Sequence, residues 1–349
     1  MSVKANQKQE RERGAIAIVA AVLVTALIGL GAVAVDLGQI YAERAQLQNG
    51  ADSAALAIAQ ECYKTQTCTN ASSAVWQAWA QSLVNGNAND NATTIKSVTF
   101  SGSDPTYQVV VTTSTLDGTT GAGFLTPMFS KALNTAPVTV GAQATASMKL
   151  PSSGNAFPLA LSDCRFDLSG SVATGAIQLV TYKPGNAPCT SVSGHTIPGG
   201  FGWLNEPNPS ICAAPTDSNG IVGSNTGAAY PGGPCDAILN NWAAQINAGQ
   251  TVEGTFPVFD DAGGTGANGW FHILGYATFE IIGWKFSGGN GLPSVFHNTL
   301  PYVGTAANQC TGNCRGIIGR FERFTSLDAS TSGGTPGANL GSVVVTLVK

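Results

Sequence analysis

Three stretches of this 349-residue chain carry groups in the order that a cofactor or metal site would use. Gly264-Thr265-Gly266-Ala267-Asn268-Gly269 fits the G-x-G-x-x-G letters of a dinucleotide loop. Such a loop must open a helix, whose N-terminal amides face the pyrophosphate. Residues 270–282 are instead aromatic and β-branched and read as a strand, so the glycines are expected in a hairpin loop and no cofactor is expected. Asp167-Leu168-Ser169-Gly170-Ser171 offers hard oxygens at alternate positions, a set that suits Mg²⁺. The apolar run before it is broken by Ser162, Asp163, Cys164 and Arg165, which favours an ordinary Ser/Gly turn. Asp260 and Asp261, with Glu280 further on, could form a carboxylate pair or a Ca²⁺ loop, against the plainer reading of solvated acids at a strand end. Asp167, Ser169, Ser171, Asp260 and Asp261 are thus the metal candidates, none of them strong enough to predict a metal site. G-x-S-x-G is absent, and His195, His272 and His297 lie in separate segments, so nothing arranges a catalytic triad. The chain is expected not to be an enzyme.

Eight cysteines, at 62, 68, 164, 189, 212, 235, 310 and 314, all follow the apolar N-terminal run. An even count placed only there suggests disulfides in an oxidising compartment. Zinc would need CxxC pairs or clustered histidines, whereas the close pairs are C-x5-C and C-x3-C. Eight cysteines permit 105 pairings; short loops close at least entropic cost, which selects Cys62–Cys68, Cys164–Cys189, Cys212–Cys235 and Cys310–Cys314.

The elements that would carry these residues begin with a membrane segment. Gly14 to Val35 is 22 residues without a charge, about 33 Å as a helix, enough for the ~30 Å hydrocarbon core. Lys4, Lys8, Arg11 and Arg13 precede it and the next basic residue is Arg44, so residues 1–13 are expected inside and residues 36–349 outside the cell membrane. Ala32-Val33-Ala34 fits a signal-peptidase site, but the apolar run exceeds the 7–15 residues of a signal core, which favours an uncleaved anchor. Beyond Asp36, Leu37, Ile40, Leu47, Ala51, Ala54 and Ile58 step by three and four along one helix face, through Arg44. With no proline in 15–60, the two segments are expected to form one rod, with Asn49-Gly50 its weakest step. The striped face either meets a partner helix or folds back on the chain's own domain.

The architecture expected is α+β: transmembrane helix 14–35, post-membrane helix 36–61, an α+β domain over 62–150, a linker at 151–155 and a β-rich disulfide-linked domain over 156–349. Helical spacing marks 71–84, strand patterns mark 95–100, 107–116 and 138–150, and 123–133 reads as a short helix. Further strands are expected at 251–259, 270–286, 316–324 and 342–348, around irregular stretches in 184–235. Charged residues are only 10% of the chain, against ~25% in ordinary soluble domains, and the net charge is −4. Nucleic acid is therefore not an expected partner.

Arg13-Gly14 and the membrane run, followed by Asp36, Gly38, Tyr41, Leu47, Gln48, Asn49, Gly50, Ala51, Asp52, Ala54 and Ala55, resemble the N-terminal segment of TadG-like proteins of the Flp (tight-adherence) pilus system. The resemblance spans about 50 residues. It implies a membrane-anchored, non-enzymatic component whose partners are pilus-assembly or envelope proteins. Pilin-like relatives carry a Glu five residues after the processed glycine; counted from Gly14 that place holds Val19, so processing and pilin incorporation are not implied. A surface-anchored adhesin or ligand-binding protein, metal-dependent or not, is the alternative, and an anchored extracellular enzyme a third.

Overall fold

The computed structural model describes residues 3–89, 91–116, 123, 125, 128–129, 136–165, 175–182, 189–197, 199–225, 230–264 and 268–348, with side chains from Ile16 onward except at 165 and 329. Its fold is α+β. The first element, α1 (Val3–Thr65), is one helix of 63 residues, roughly 95 Å long. No break occurs at Asn49-Gly50. Gly50 is instead a point of close approach: a Cβ there would stand 3.1 Å from Val84 Cγ1 and 3.5 Å from the Val84 backbone. The helix conformation weakened by Gly50 is held by the neighbour its missing side chain admits.

That neighbour is α2 (Ser73–Asn85), which runs back along α1 after a turn closed by the Cys62–Cys68 disulfide. Trp76 Nε1 donates to Thr67 O at 3.2 Å near one end, and Asn89 N to Gln46 Oε1 at 2.9 Å near the other. Both helices lie on a five-stranded sheet ordered 93–101, 108–115, 141–149, 342–348, 324–326. Alternate residues of its strands (Val98 and Phe100, Val109 and Val111, Ala144, Ala146 and Met148) turn to the helices, as a period of two requires. Ala51, Ala54, Ala55, Ile58 and Ala59 of α1 meet them, fully buried. Small residues on the helix bring it close to the sheet, and burying Leu47 and Ile58 contributes about 1.5–3 kcal/mol each.

Membership of this sheet differs from the expected division of the chain. The 342–348 strand, read with residues 156–349, pairs antiparallel with 141–149, Val344 opposite Lys149 and Val348 opposite Thr145. Parallel to it runs 324–326. Arg323, just before, forks onto Asp104 at 3.0 and 3.1 Å and covers the Tyr63 ring, tying this return to the end of α1. The expected linker is also held: residues 153–156 pair with 214–217, and Ser152 N donates to Thr331 O at 2.6 Å.

The second sheet is ordered 178–181, 316–322, 270–285, 253–263, 159–162, 201–203. Its long strand, Trp270–Lys285, pairs with both 253–263 and 316–322. A helix not foreseen, α3 (Pro234–Asn247), covers it, burying Cys235, Leu239 and Ala243 among Trp203, Phe256 and Trp284. Proline in the first turn and apolar residues at 239, 242, 243 and 246 are the signals that could have found it. Disulfides join Cys62–Cys68, Cys164–Cys189, Cys212–Cys235 and Cys310–Cys314. The two longer loops, 25 and 23 residues apart in sequence, each contribute about 2–4 kcal/mol.

Candidate functional site

α1 is two surfaces on one rod. From Ile16 to Val35 its large apolar side chains are all exposed, Ile18, Ile28 and Leu30 among the most so. At Asp36 the environment changes. Asp36 is buried and its Oδ1 accepts the Phe129 amide at 2.9 Å, and Glu43 is buried one turn further on from Gln39. Leu47, Ala51, Ala54 and Ile58 are fully buried against the chain's own sheet. The face read as open to a partner helix is therefore occupied from Leu47 onward, with Ile40 half-buried and Leu37 exposed. The reason is geometric: the three-four stripe matches a flat sheet as well as it matches another helix. The domain accordingly begins at the end of the apolar run and is not held away from it on a bare stalk.

The chemistry-bearing residues gather at the 253–263/270–285 hairpin. Phe259 pairs with Ile273 and Asp261 with His272, leaving Asp260 as the extra residue of a β-bulge. A bulge re-aims side chains that strict alternation would send to opposite faces. Asp260, almost fully buried, meets His272 Nδ1 through Oδ1 at 2.6 Å and accepts the Ser193 hydroxyl through Oδ2. Asp261 lies 3.3 Å from His195 Nδ1. Asp163 accepts the Val192 amide at 2.8 Å, and its carboxyl is pushed up by burial, with the Asp260 charge adding to the shift. Together these groups clasp the 189–197 hairpin, which is also held by Cys164–Cys189, to the second sheet.

The order of groups differs from that of a catalytic serine, histidine and aspartate. Here the carboxylate stands in the middle, and among the described residues Ser193 donates to Asp260 and not to an imidazole. Among the described residues, no three Asp, Glu or His of this cluster place ligand atoms within 4.8 Å of one another; the one set that does, Glu206, Cys212 and Cys235, contains a disulfide and so no thiolates. Asp167, Ser169 and Ser171 lie outside the described residues, as does most of 123–133. Gly264 stands at φ +70°, and strand Trp270–Lys285 begins directly after Gly269, where a dinucleotide loop would open a helix. His297 stands apart, stacked between Phe296 and Tyr302 with ring centroids at 3.8 and 3.5 Å, its pKa lowered by burial.

Sequence reading missed one further cluster. Cross-strand register places Arg320 beside Glu280 and Glu253 across from Glu280 on its other side. Arg320 Nε donates to Glu280 and lies 3.4 Å from Glu322. Glu322 is pushed up to about 7, first by burial, then by its hydrogen bond to Glu280 and the charges of Glu280 and Glu253, with Arg320 opposing. A carboxyl whose folded pKa lies above its ordinary 4.5 contributes stability in full below pH 4.5 and loses it as pH rises through 7. Glu322→Gln is therefore expected to melt with the parent at pH 5 and a few degrees above it at pH 8. Thermal unfolding across that range checks this; equal melting at both pH values would refute it.

With the exposed apolar half of α1, its packed half and the buried Asp36 between them in place, the comparison with known families falls on this rod alone. Residues 14–61 match the Tad family model, Flp pilus-assembly TadE/G-like. Neither a curated protein nor a solved structure matches the chain. The TadE/G-like segment thus covers the apolar run, Asp36 and the helix face that roofs the first sheet, stopping one residue short of Cys62. Match and helix together support a pilus-related membrane component with a single-pass N-terminal anchor.

Proposed function

We propose that the protein is a non-enzymatic component of Flp/Tad-type pilus assembly or related envelope machinery, acting by protein–protein contact outside the membrane. The observation that carries this is the coincidence of the TadE/G-like match with a helix that is bare over one membrane thickness and packed immediately beyond it. Lys4, Lys8, Arg11 and Arg13 before the span favour a cytoplasmic N-terminus, with the disulfide-bonded bulk outside. Since Leu47, Ala51, Ala54 and Ile58 are used internally, the surface offered to pilus or envelope proteins is that of the two sheets and their loops. Crosslinking in the native cells, then purification of the full-length protein, is expected to recover Flp pilus-assembly proteins; deletion of the gene is expected to abolish piliation. Normal pili without the protein would overturn the reading.

One observation favours a ligand-binding role instead. A cleft of about 640 Å³ lies between the sheets, lined by Trp242, Tyr276, Asn155, Asp217, Thr255 and Ser326 among others. Its volume falls within the range of small-molecule sites. Capture of a soluble ligand by the protein, with pili unaffected by its loss, would establish that role.

A further inference from the structure

We propose that Met128 and Phe129, which lie between Leu125 and Val138 in the sequence, make a second membrane contact, seated in the lipid headgroup layer beside the anchor. The inference rests on the reading of residues 14–35 as the span. Those 22 residues rise about 33 Å as a helix, enough to cross the ~30 Å hydrocarbon core, which puts Asp36 at its outer boundary. Phe129 is held at that same level, because its amide donates to Asp36 Oδ1 at 2.9 Å. The base of the segment is pinned by a two-way backbone bridge, Leu125 N to Val138 O at 2.7 Å and the reverse at 2.9 Å.

What Met128 and Phe129 show at this level is apolar. Met128 is 69% and Phe129 44% exposed, and the sequence from 118 to 138 carries a single charge, Lys131. On the helix beside it Leu37 is 51% and Tyr41 72% exposed. These side chains continue the bare surface of the span outward, and aromatic residues at such a boundary are favoured because their rings suit the headgroup zone. A lipid surface is the occupant this continuity selects: any membrane that receives residues 14–35 necessarily reaches the level of Phe129. Two attachment points would fix the orientation of the first sheet against the bilayer, where a helix alone leaves it free to tilt.

The test uses the full-length protein and its Phe129→Trp variant, reconstituted in phosphatidylcholine vesicles. The six native tryptophans are removed by taking the difference between the two spectra. The added emission is expected to be blue-shifted, protected from aqueous iodide and quenched by lipids spin-labelled near the headgroup. Failure of the parent to float with the vesicles would overturn the anchor reading and this inference with it. If the parent floats and the added emission stays open to iodide and indifferent to the lipid quencher, the loop contact alone is overturned. Protection from iodide that appears only at high protein density, without lipid quenching, would also overturn it and assign the patch to a second copy of the chain. Met128→Asp with Phe129→Trp provides an independent check: the exposed substitution leaves the fold intact, and the lipid quenching is expected to fall.

Discussion

Leucine at both Ala51 and Ala54 should lower the melting temperature of the full-length protein in detergent by roughly 5–15 °C. Both alanines are fully buried where α1 crosses the first sheet, in one core with Ile58, Val109 and Ala144. Added methylenes have no space there. Overpacking costs about 1–3 kcal/mol at each site, and the two sites share neighbours, so their effects need not sum. Small side chains also set the distance between helix and sheet, so a larger one strains the Gly50–Val84 approach one turn away. The experiment separates two uses of the same stripe. A face that packs on its own domain loses stability when enlarged, whereas a face reserved for a partner helix loses association at unchanged stability. Normal melting with lost recovery of pilus proteins would return the stripe to a partner.

Arginine at Leu23 and Leu27 should release the protein from the membrane. The two residues lie one turn apart near the middle of the bare segment, and their side chains are 57% and 66% exposed to whatever surrounds the helix. Each arginine at a bilayer centre costs about 2.5–3.5 kcal/mol on insertion scales, and a neighbouring pair of like charges adds repulsion. Neither can snorkel far, since about eight or nine residues of apolar helix separate each from its nearer boundary. Carbonate extraction of membranes checks this: the parent is expected in the pellet, the double variant in the supernatant or degraded. Leu27→Ile, which keeps the hydrocarbon, is expected to behave as the parent. Retention of the double arginine variant in the pellet would show that residues 14–35 are not the span. The folded part should be unaffected, because both side chains are exposed and lie outside its cores among the described residues.

What could be read from residues alone follows the range of the interaction. The span needed only a count of uncharged residues, and α2 and the strands at 93–101, 108–115 and 141–149 needed only their periods of 3.6 and two. The continuity of α1 was legible from the absence of proline, while the role of Gly50 was not, because Val84 supplies it from 34 positions away. The three-four stripe announced a buried face but could not name what buries it. Sheet and partner helix present the same apolar demand, and only the placement of the 141–149 strand decided between them.

The clusters depended wholly on tertiary structure. Asp260, His272 and Ser193 come together because a bulge re-aims one aspartate while a disulfide-held hairpin delivers the serine. Glu280, Arg320 and Glu322 meet through the register of strands 40 residues apart. The return of 342–348 to the first sheet is of the same kind. Hydrophobic alternation marks a strand, yet carries no address for its neighbour, and the choice among possible neighbours is made by the whole core at once. Helices, strands and long apolar runs are local patterns, so an α+β chain with an apolar N-terminal helix and a TadE/G-like segment could be read before any fold was known. Which faces stay exposed could not, because burial depends on residues far apart in the chain.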